Sequence, residues 1–212
     1  VILIKDFKNN FIKKSLKKIL FEKIKLEFDL NKKNKNSLLF EGFYSLDNTN
    51  YKKFKVSGNL NKNNQNYLID FDLSEDVSFD LINYRTDSNK LGNIKAEYNI
   101  NNKNMFFKSI SFSEGKNIIL VKGLVLNKKN EIKKISSVKV RTYNKSKENN
   151  NFLIEFRKKI SISGEKYDSS NLLQILSEDN KSNPLKNFKK EIKIKIKNFI
   201  TKSKIPLSNF NL

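Results

Sequence analysis

Several residue types on which enzymes commonly depend are absent or scarce in this chain of 212 residues. It has no histidine, no cysteine and no tryptophan, and only 6 glycines. Without histidine or cysteine it cannot form a Ser-His-Asp triad, a cysteine nucleophile or a thiolate or imidazole zinc site. The glycines are too scattered for a phosphate-binding loop, and disulfides are impossible. The sequence therefore predicts no enzymatic activity, no bound metal and no cofactor.

Long hydrophobic runs are also missing. The longest are Val1–Ile4 and Ile118–Val121, whereas a membrane-spanning helix needs about 20 apolar residues. The chain begins at Val1, and residues 206–212 resemble the start of another strand. We therefore expect it to be an internal piece of a longer polypeptide.

Paired carboxylates are the catalytic option that these absences leave open. Asp70 and Asp72 share one face of a predicted strand, about 7 Å apart by strand rise, which is compatible with a glycosidase pair. No tryptophan or histidine exists to accompany them. The sequence favours an ordinary solvated strand face.

Positive charge is in large excess, with a formal net charge of +21. Of the 43 basic residues 40 are lysine, and the chain has 33 asparagines but a single alanine, Ala96. Lysine and asparagine have A/T-rich codons, so the composition is typical of a low-GC bacterium. Specific base readers favour arginine, and the lysines are spread along almost every segment. We interpret most of these lysines as solvent-exposed residues without a specific ligand, and a nucleic-acid or polyanion site is the alternative.

Alternation of apolar and polar residues is the strongest pattern, and it predicts strands with one buried face. Ile192, Ile194 and Ile196, for example, alternate with lysines that a helix would bring onto the isoleucine face. Asparagine-rich stretches such as 144–151 are interpreted as turns. The clearest strands are predicted at 21–30, 67–73, 152–162 and 192–197, with others at 38–46, 53–60, 77–82, 93–100, 105–113, 117–127 and 131–143.

Two segments have helical spacing instead. Residues 6–21 carry an apolar stripe opposite lysines, and residues 168–177 start with an N-cap candidate, Asp168 or Ser169. We expect the first helix to cap an end of the sheet rather than lie on a membrane. Residues 1–177 are predicted to be one β-meander segment, 178–189 a linker, and 190–212 the start of the next strand set.

Short connections favour antiparallel neighbours. The predicted fold is mainly β, an elongated and curled antiparallel meander sheet that forms a groove, with two short helices at 6–21 and 168–177. Two short helices cannot cover such a sheet, and an exposed apolar strip of this size typically marks an interaction site. Alternation alone gives the candidate groove residues Ile24, Leu26, Phe28, Ile69, Phe71, Ile154, Phe156, Ile192, Ile194 and Ile196.

Residues 160–176 resemble the AsmA-like family, and more narrowly its TamB/YhdP branch with a domain of unknown function. The resemblance consists of a strand ending in Gly164, an aromatic-Asp pair at Tyr167 and Asp168, and a leucine-rich helix with Leu172 and Leu173. Residues 190–199 and 205–212 look similar to the strand set that follows in that family.

This resemblance implies a periplasmic β-groove protein, tethered to the bacterial inner membrane by a part of the chain not present here. It implies phospholipid acyl chains as partners, and phospholipid transport between inner and outer membranes or outer-membrane assembly and maintenance. No catalytic residues and no specific nucleic acid are implied. Besides the polyanion-binding module, a structural β-rich surface or adhesin segment is the remaining alternative.

Overall fold

The computed structural model describes residues 2–7, 16–30, 36–47, 49–61, 64–73, 76–87, 90–101, 104–171, 191–202 and 206–212. Over these ranges the chain is mainly β, so that prediction is confirmed. The strands are β1 Ile2–Phe7, β2 Leu16–Asp29, β3 Asn36–Ser45, β4 Lys52–Asn61, β5 Asn64–Leu73, β6 Ser78–Phe79, β7 Tyr84–Arg85, β8 Gly92–Asn101, β9 Asn104–Glu114, β10 Asn117–Leu126, β11 Ile132–Lys134, β12 Ser137–Asn144, β13 Lys147–Phe156, β14 Ile160–Asp168, β15 Ile192–Ile200 and β16 Pro206–Asn211.

Nearly all of the strands belong to one open sheet. Its order is β1-β2-β3-β4-β5-β8-β9-β10-β12-β13-β14-β15-β16, with β11 also paired to β10. The short strands β6 and β7 pair with each other outside it. Because most neighbours in the sheet are also neighbours in the chain, short turns suffice to connect them.

One strand pair departs from the predicted antiparallel order. Strands β14 and β15 run parallel, from Ile160 beside Ile192 to Asp168 beside Ile200. The purely antiparallel meander is therefore wrong at this point, and the sheet is mixed. Residues 169–191 join the two strands and are long enough for the crossover that a parallel pair needs. Through this pairing β15, and β16 beside it, extend the same sheet.

The predicted helix at 6–21 is also wrong where the structure describes it. Residues 6–7 end β1 and residues 16–21 begin β2, with Phe7 opposite Leu16; residues 8–15 lie outside the described ranges. An apolar stripe of this kind fits a strand once β3 supplies a partner, because pairing and burial override local spacing. Of the second predicted helix, Asp168 ends β14 and residues 170–171 form a turn, while 172–177 fall outside the described residues.

A 3₁₀ turn at Asp80–Ile82 is the helical element of the described chain, and it replaces the second half of the strand predicted at 77–82. Among the described residues no helix is long and apolar enough to cross a membrane. The segment 76–87, which holds β6, this turn and β7, is called the cap below because it lies over one face of the sheet.

Candidate functional site

One face of the sheet is apolar across eleven consecutive strands, from β2 to β15. Residues directly opposite each other on paired strands share a face, so the strand registers define rows of side chains that cross the sheet. The central row contains only aliphatic and aromatic side chains. Its members are Leu26, Phe40, Val56, Ile69, Ala96, Ile110, Val121, Val138, Ile154, Ile162 and Ile194.

Two further rows on the same face flank the central row. The upper row is Phe54, Phe71, Ile94, Phe112, Ile119, Val140, Phe152, Gly164, Ile196 and Phe210. The lower row is Phe28, Leu38, Gly58, Tyr67, Tyr98, Phe107 and Leu124, followed on the last strands by Phe156, Ile160 and Ile192.

The structure places all ten predicted groove residues on this face. Ile24 is next to the central row, where its side chain lies close to Gly42. The other nine are distributed over the three rows. They are Leu26, Ile69, Ile154 and Ile194 in the central row, Phe71 and Ile196 in the upper row, and Phe28, Phe156 and Ile192 in the lower row. That they hold a ligand remains a prediction.

The apolar face is most open at its β2 end. Leu26 is 55 % exposed and Phe28 is 57 % exposed. Along β3 to β15 the central-row side chains are partly exposed, except Ala96, which is buried. Exposed aliphatic and aromatic groups on this scale are unusual for a face that serves only as a protein core.

The cap covers the upper row between β9 and β15. Val77, Ile82 and Tyr84 of the cap are buried against a cluster that includes Phe112 and Phe152. The sequence predicted that two short helices cannot cover the sheet; the cap, which the sequence did not predict, covers part of this face. The cap is a short irregular segment, so the N–H and C=O groups of its backbone need hydrogen-bond partners from the sheet below it.

Asn150 supplies several of those partners at the centre of the cap contact. It is fully buried, and its Nδ2 donates to the carbonyl oxygen of Ile82 at 2.7 Å and to Thr142 Oγ1 at 2.9 Å. Its Oδ1 accepts from the backbone N–H of Asp168 at 2.9 Å. One amide group thus joins the cap to β12 and β14.

The Glu114 carboxylate joins the other side of the cap to the sheet. It is 2 % exposed, and it accepts from the Tyr84 hydroxyl at 2.7 Å, from Asn117 Nδ2 at 3.0 Å and from the Asp87 N–H at 2.8 Å. Burial, together with the hydrogen bond to this carboxylate, raises the pKa of Tyr84 above its usual value. The carboxylate is satisfied by three donors, which is what a buried anion requires.

The residues that carry the family resemblance also contact the cap. β14 runs four residues past Gly164, so the expectation that the strand ends there is wrong. Tyr167 donates from its hydroxyl to the Leu81 carbonyl oxygen at 3.2 Å, and Asp168 Oδ2 accepts from Asn83 Nδ2 at 3.0 Å. Leu172 and Leu173 lie outside the described residues.

Sequence reasoning missed the cap, because the local pattern favours a strand at 77–82 and a turn at 144–151. In the structure β13 already begins at Lys147, so Asn149 and Asn150 are strand residues with buried side chains. Asparagine is uncommon inside a strand. Consecutive asparagines directly before an alternating apolar segment were the available signal for a buried polar contact.

The buried phenol of Tyr167 makes stability sensitive to alkaline pH. Burial, with a smaller contribution from the charge of Asp168, raises the pKa of Tyr167 from 10.0 to about 12. The neutral phenol is thus favoured in the folded state. The contribution of the neutral phenol to the free energy of unfolding is complete below pH 10 and is lost as pH rises toward 12. We expect Tyr167 to account for up to about 2 kcal/mol of the fall in the free energy of unfolding in urea over this interval, so the fall should be smaller by this amount in Tyr167→Phe. An equal fall in both proteins would contradict this assignment.

Asp70 and Asp72 lie on the opposite, polar face of the sheet. Asn93 Nδ2 donates to Asp70 Oδ1 at 2.8 Å and to Asp72 Oδ1 at 3.0 Å, and Lys95 forms an ion pair with Asp70 at 3.0 Å. Partial burial raises the pKa of Asp70, but the hydrogen bonds from Asn93 and Lys95 and the nearby positive charge outweigh this and lower the pKa overall. A general acid needs the opposite shift.

Comparison of the chain with protein-family models, with curated proteins and with solved structures finds no match. The site is therefore characterised by its geometry alone, which combines an apolar face, a cap over part of it and a polar face opposite.

Proposed function

We propose that this chain is a non-enzymatic segment of an AsmA-like envelope protein, and that the apolar face of its sheet holds the acyl chains of phospholipid. The observation that carries the proposal is the central row, which has one apolar side chain on each of eleven strands that are neighbours in the sheet, from β2 to β15. The AsmA-like resemblance of residues 160–176 supports the same assignment.

The row is much longer than one acyl chain. Strands lie about 4.8 Å apart, so ten steps between β2 and β15 span roughly 48 Å. One leaflet of a bilayer core is about 15 Å thick, so an extended acyl chain would cover about three strands. Each buried CH₂ contributes about 0.8 kcal/mol, and an unbroken lining offers each CH₂ a similar apolar surface on the next strand. An acyl chain could therefore move along the rows without a large barrier.

In this proposal the intact protein is periplasmic and is tethered to the inner membrane by another part of the chain. Phospholipid would pass between the inner and outer membranes, or support outer-membrane assembly and maintenance, with headgroups in water and acyl chains on the apolar face. The process is one of binding and sliding, and no bond is formed or broken.

The proposal predicts that phospholipid co-purifies with the chain and is lost when charge is placed on the central row. In the variant carrying Ile69→Lys and Ile154→Lys we expect at least a tenfold loss of bound phospholipid, measured by mass spectrometry of extracted lipid. Each isoleucine side chain that packs on an acyl chain is worth about 1.5–3 kcal/mol, and about 1.4 kcal/mol corresponds to tenfold.

A matched control places the charge on the opposite face of the sheet. Leu39→Lys and Leu68→Lys lie on that face, each directly before a central-row residue and outside the last five strands, and this variant should keep its lipid. Circular dichroism must show folded sheet in both variants. Absence of lipid from the unmodified chain, or equal lipid in the two variants, would refute the proposal.

A further inference from the structure

The polar face of the sheet has two halves that differ in charge. Between β2 and β8 one row alternates in sign, as Lys25, Glu41, Lys55, Asp70 and Lys95 lie opposite each other on successive strands. Lys55 pairs with Glu41 at 3.3 Å and Lys95 pairs with Asp70 at 3.0 Å. Positive charge on this half is therefore balanced by neighbouring carboxylates.

Between β10 and β15 the pairing is less complete, although Lys197 on β15 pairs with Glu165 at 3.2 Å. Lys122, Lys139, Lys193 and Lys195 lie on this half and are exposed, and in the described part of the chain no carboxylate is within ion-pair distance of any of them. Glu155 lies among them but pairs with Arg157 at 2.8 Å. We call these four lysines the basic patch.

The tertiary structure creates this patch from distant parts of the sequence. One row runs Lys122, Ser137, Glu155, Ser161, Lys193, and the next runs Leu120, Lys139, Leu153, Ser163, Lys195. Four strand spacings of about 4.8 Å separate β10 from β15, so the patch is roughly 19 Å wide. The two halves thus differ in how their lysines are paired, and the four lysines of the patch come together only in the folded sheet.

We propose that the basic patch docks on the surface of an anionic phospholipid bilayer. Lysines near such a surface are attracted by its negative potential. Leu120 and Leu153 lie between the lysines, and Ile118 on the same face of β10 is 44 % exposed. Aliphatic side chains among lysines suit the boundary between headgroups and acyl chains.

Nucleic acid fits the patch less well. Single-stranded nucleic acid is typically bound by aromatic side chains that stack on bases, and the two rows of the patch contain serine, leucine, lysine and glutamate. Base readout favours arginine, and Arg141 on β12 is already paired with Glu148 at 3.0 Å. The docking proposal concerns the polar face, so it does not depend on acyl-chain binding by the apolar face.

The experiment compares two variants of equal charge. Four Lys→Gln changes lower the formal net charge from +21 to +17 in each. One variant carries them in the basic patch, and the control carries them at four lysines that pair with acids elsewhere. The control positions are Lys25, Lys55, Lys95 and Lys108.

Binding is measured by co-sedimentation with vesicles of equal parts phosphatidylserine and phosphatidylcholine, and with vesicles of phosphatidylcholine alone. Each lysine near an anionic surface is worth about fivefold in affinity. We expect the unmodified chain to bind the anionic vesicles, more weakly as salt increases. The basic-patch variant should bind at least a hundredfold more weakly, while the control loses less than tenfold.

Three results would overturn the proposal. The first is absence of binding by the unmodified chain, and the second is an equal loss in both variants, which would mean that net charge alone drives association. The third is tighter binding to duplex DNA than to the vesicles, abolished in the basic-patch variant. The Ile69→Lys and Ile154→Lys variant should bind anionic vesicles as the unmodified chain does, so the two proposals can fail separately.

Discussion

Gly164→Ala is expected to destabilise the protein by about 3 kcal/mol or more, a large part of the stability of an ordinary domain. A Cβ atom at this position would lie 2.6 Å from Phe152 Cα and closer still to the Asn151 carbonyl oxygen. Both are backbone atoms of the neighbouring strand, which cannot rotate away as a side chain can. Accommodating the methyl group requires β13 and β14 to separate at Gly164, which lies between Phe152 and Ile196 in the upper row.

The free energy of unfolding, obtained from urea titration, checks this prediction. Gly115→Ala is the matched control, because Gly115 lies in the turn between β9 and β10 and a Cβ there would meet nothing within 4 Å. Its φ of +56° makes alanine cost about 1–2 kcal/mol. If Gly164→Ala cost no more than Gly115→Ala, the close packing of β13 against β14 would be disproved.

Asn150→Ala is expected to cost about 3–5 kcal/mol. The side chain is fully buried, and its removal leaves the Ile82 carbonyl oxygen and the Asp168 N–H without their partner, while the Thr142 hydroxyl keeps its hydrogen bond to Asn149 Oδ1 at 2.8 Å. Each buried group left unsatisfied costs about 1–3 kcal/mol. Because one of these groups belongs to the cap, we also expect the cap to loosen before the sheet unfolds.

Hydrogen exchange separates these two effects. The N–H of Thr86 donates to the Val77 carbonyl oxygen at 3.0 Å across the base of the cap, and its protection should fall more than that of the central strands. Asn151→Ala is the control, because Asn151 is partly exposed and makes one side-chain hydrogen bond, to Glu148 at 3.2 Å. It should cost less than about 1 kcal/mol. Equal losses in the two variants would show that Asn150 does not hold the cap.

The strands were predictable because their pattern is local. Ile192, Ile194 and Ile196 alternate with lysines, and only an extended backbone separates the two sets onto opposite faces. The same alternation placed all ten groove residues on one face, since strands with the same buried side can pair in a sheet only with those sides together. The mainly β fold follows from this periodicity.

The errors lie where partners distant in sequence decide the structure. Residues 16–21 carry a stripe that suits a helix, but pairing of β2 with β3 makes them a strand. Asn150 belongs to a stretch that resembles a turn, yet Ile82 and Asp168 surround it and satisfy its amide. The parallel direction of β15 was not predictable either, because parallel and antiparallel strand pairing are both compatible with the same alternation of apolar and polar residues.

By itself the sequence determined the composition of each face. The absence of histidine and cysteine excluded the catalytic and metal sites that depend on those two residues, and alternation separated the apolar from the charged residues. The tertiary structure decided which residues meet. It joined one apolar residue from each of eleven strands into a single row, placed the cap over one end of the face, and gathered Lys122, Lys139, Lys193 and Lys195 into one unbalanced patch. The reason is that side-chain direction is set by the backbone of one strand, whereas neighbours across a sheet are set by strand order and register.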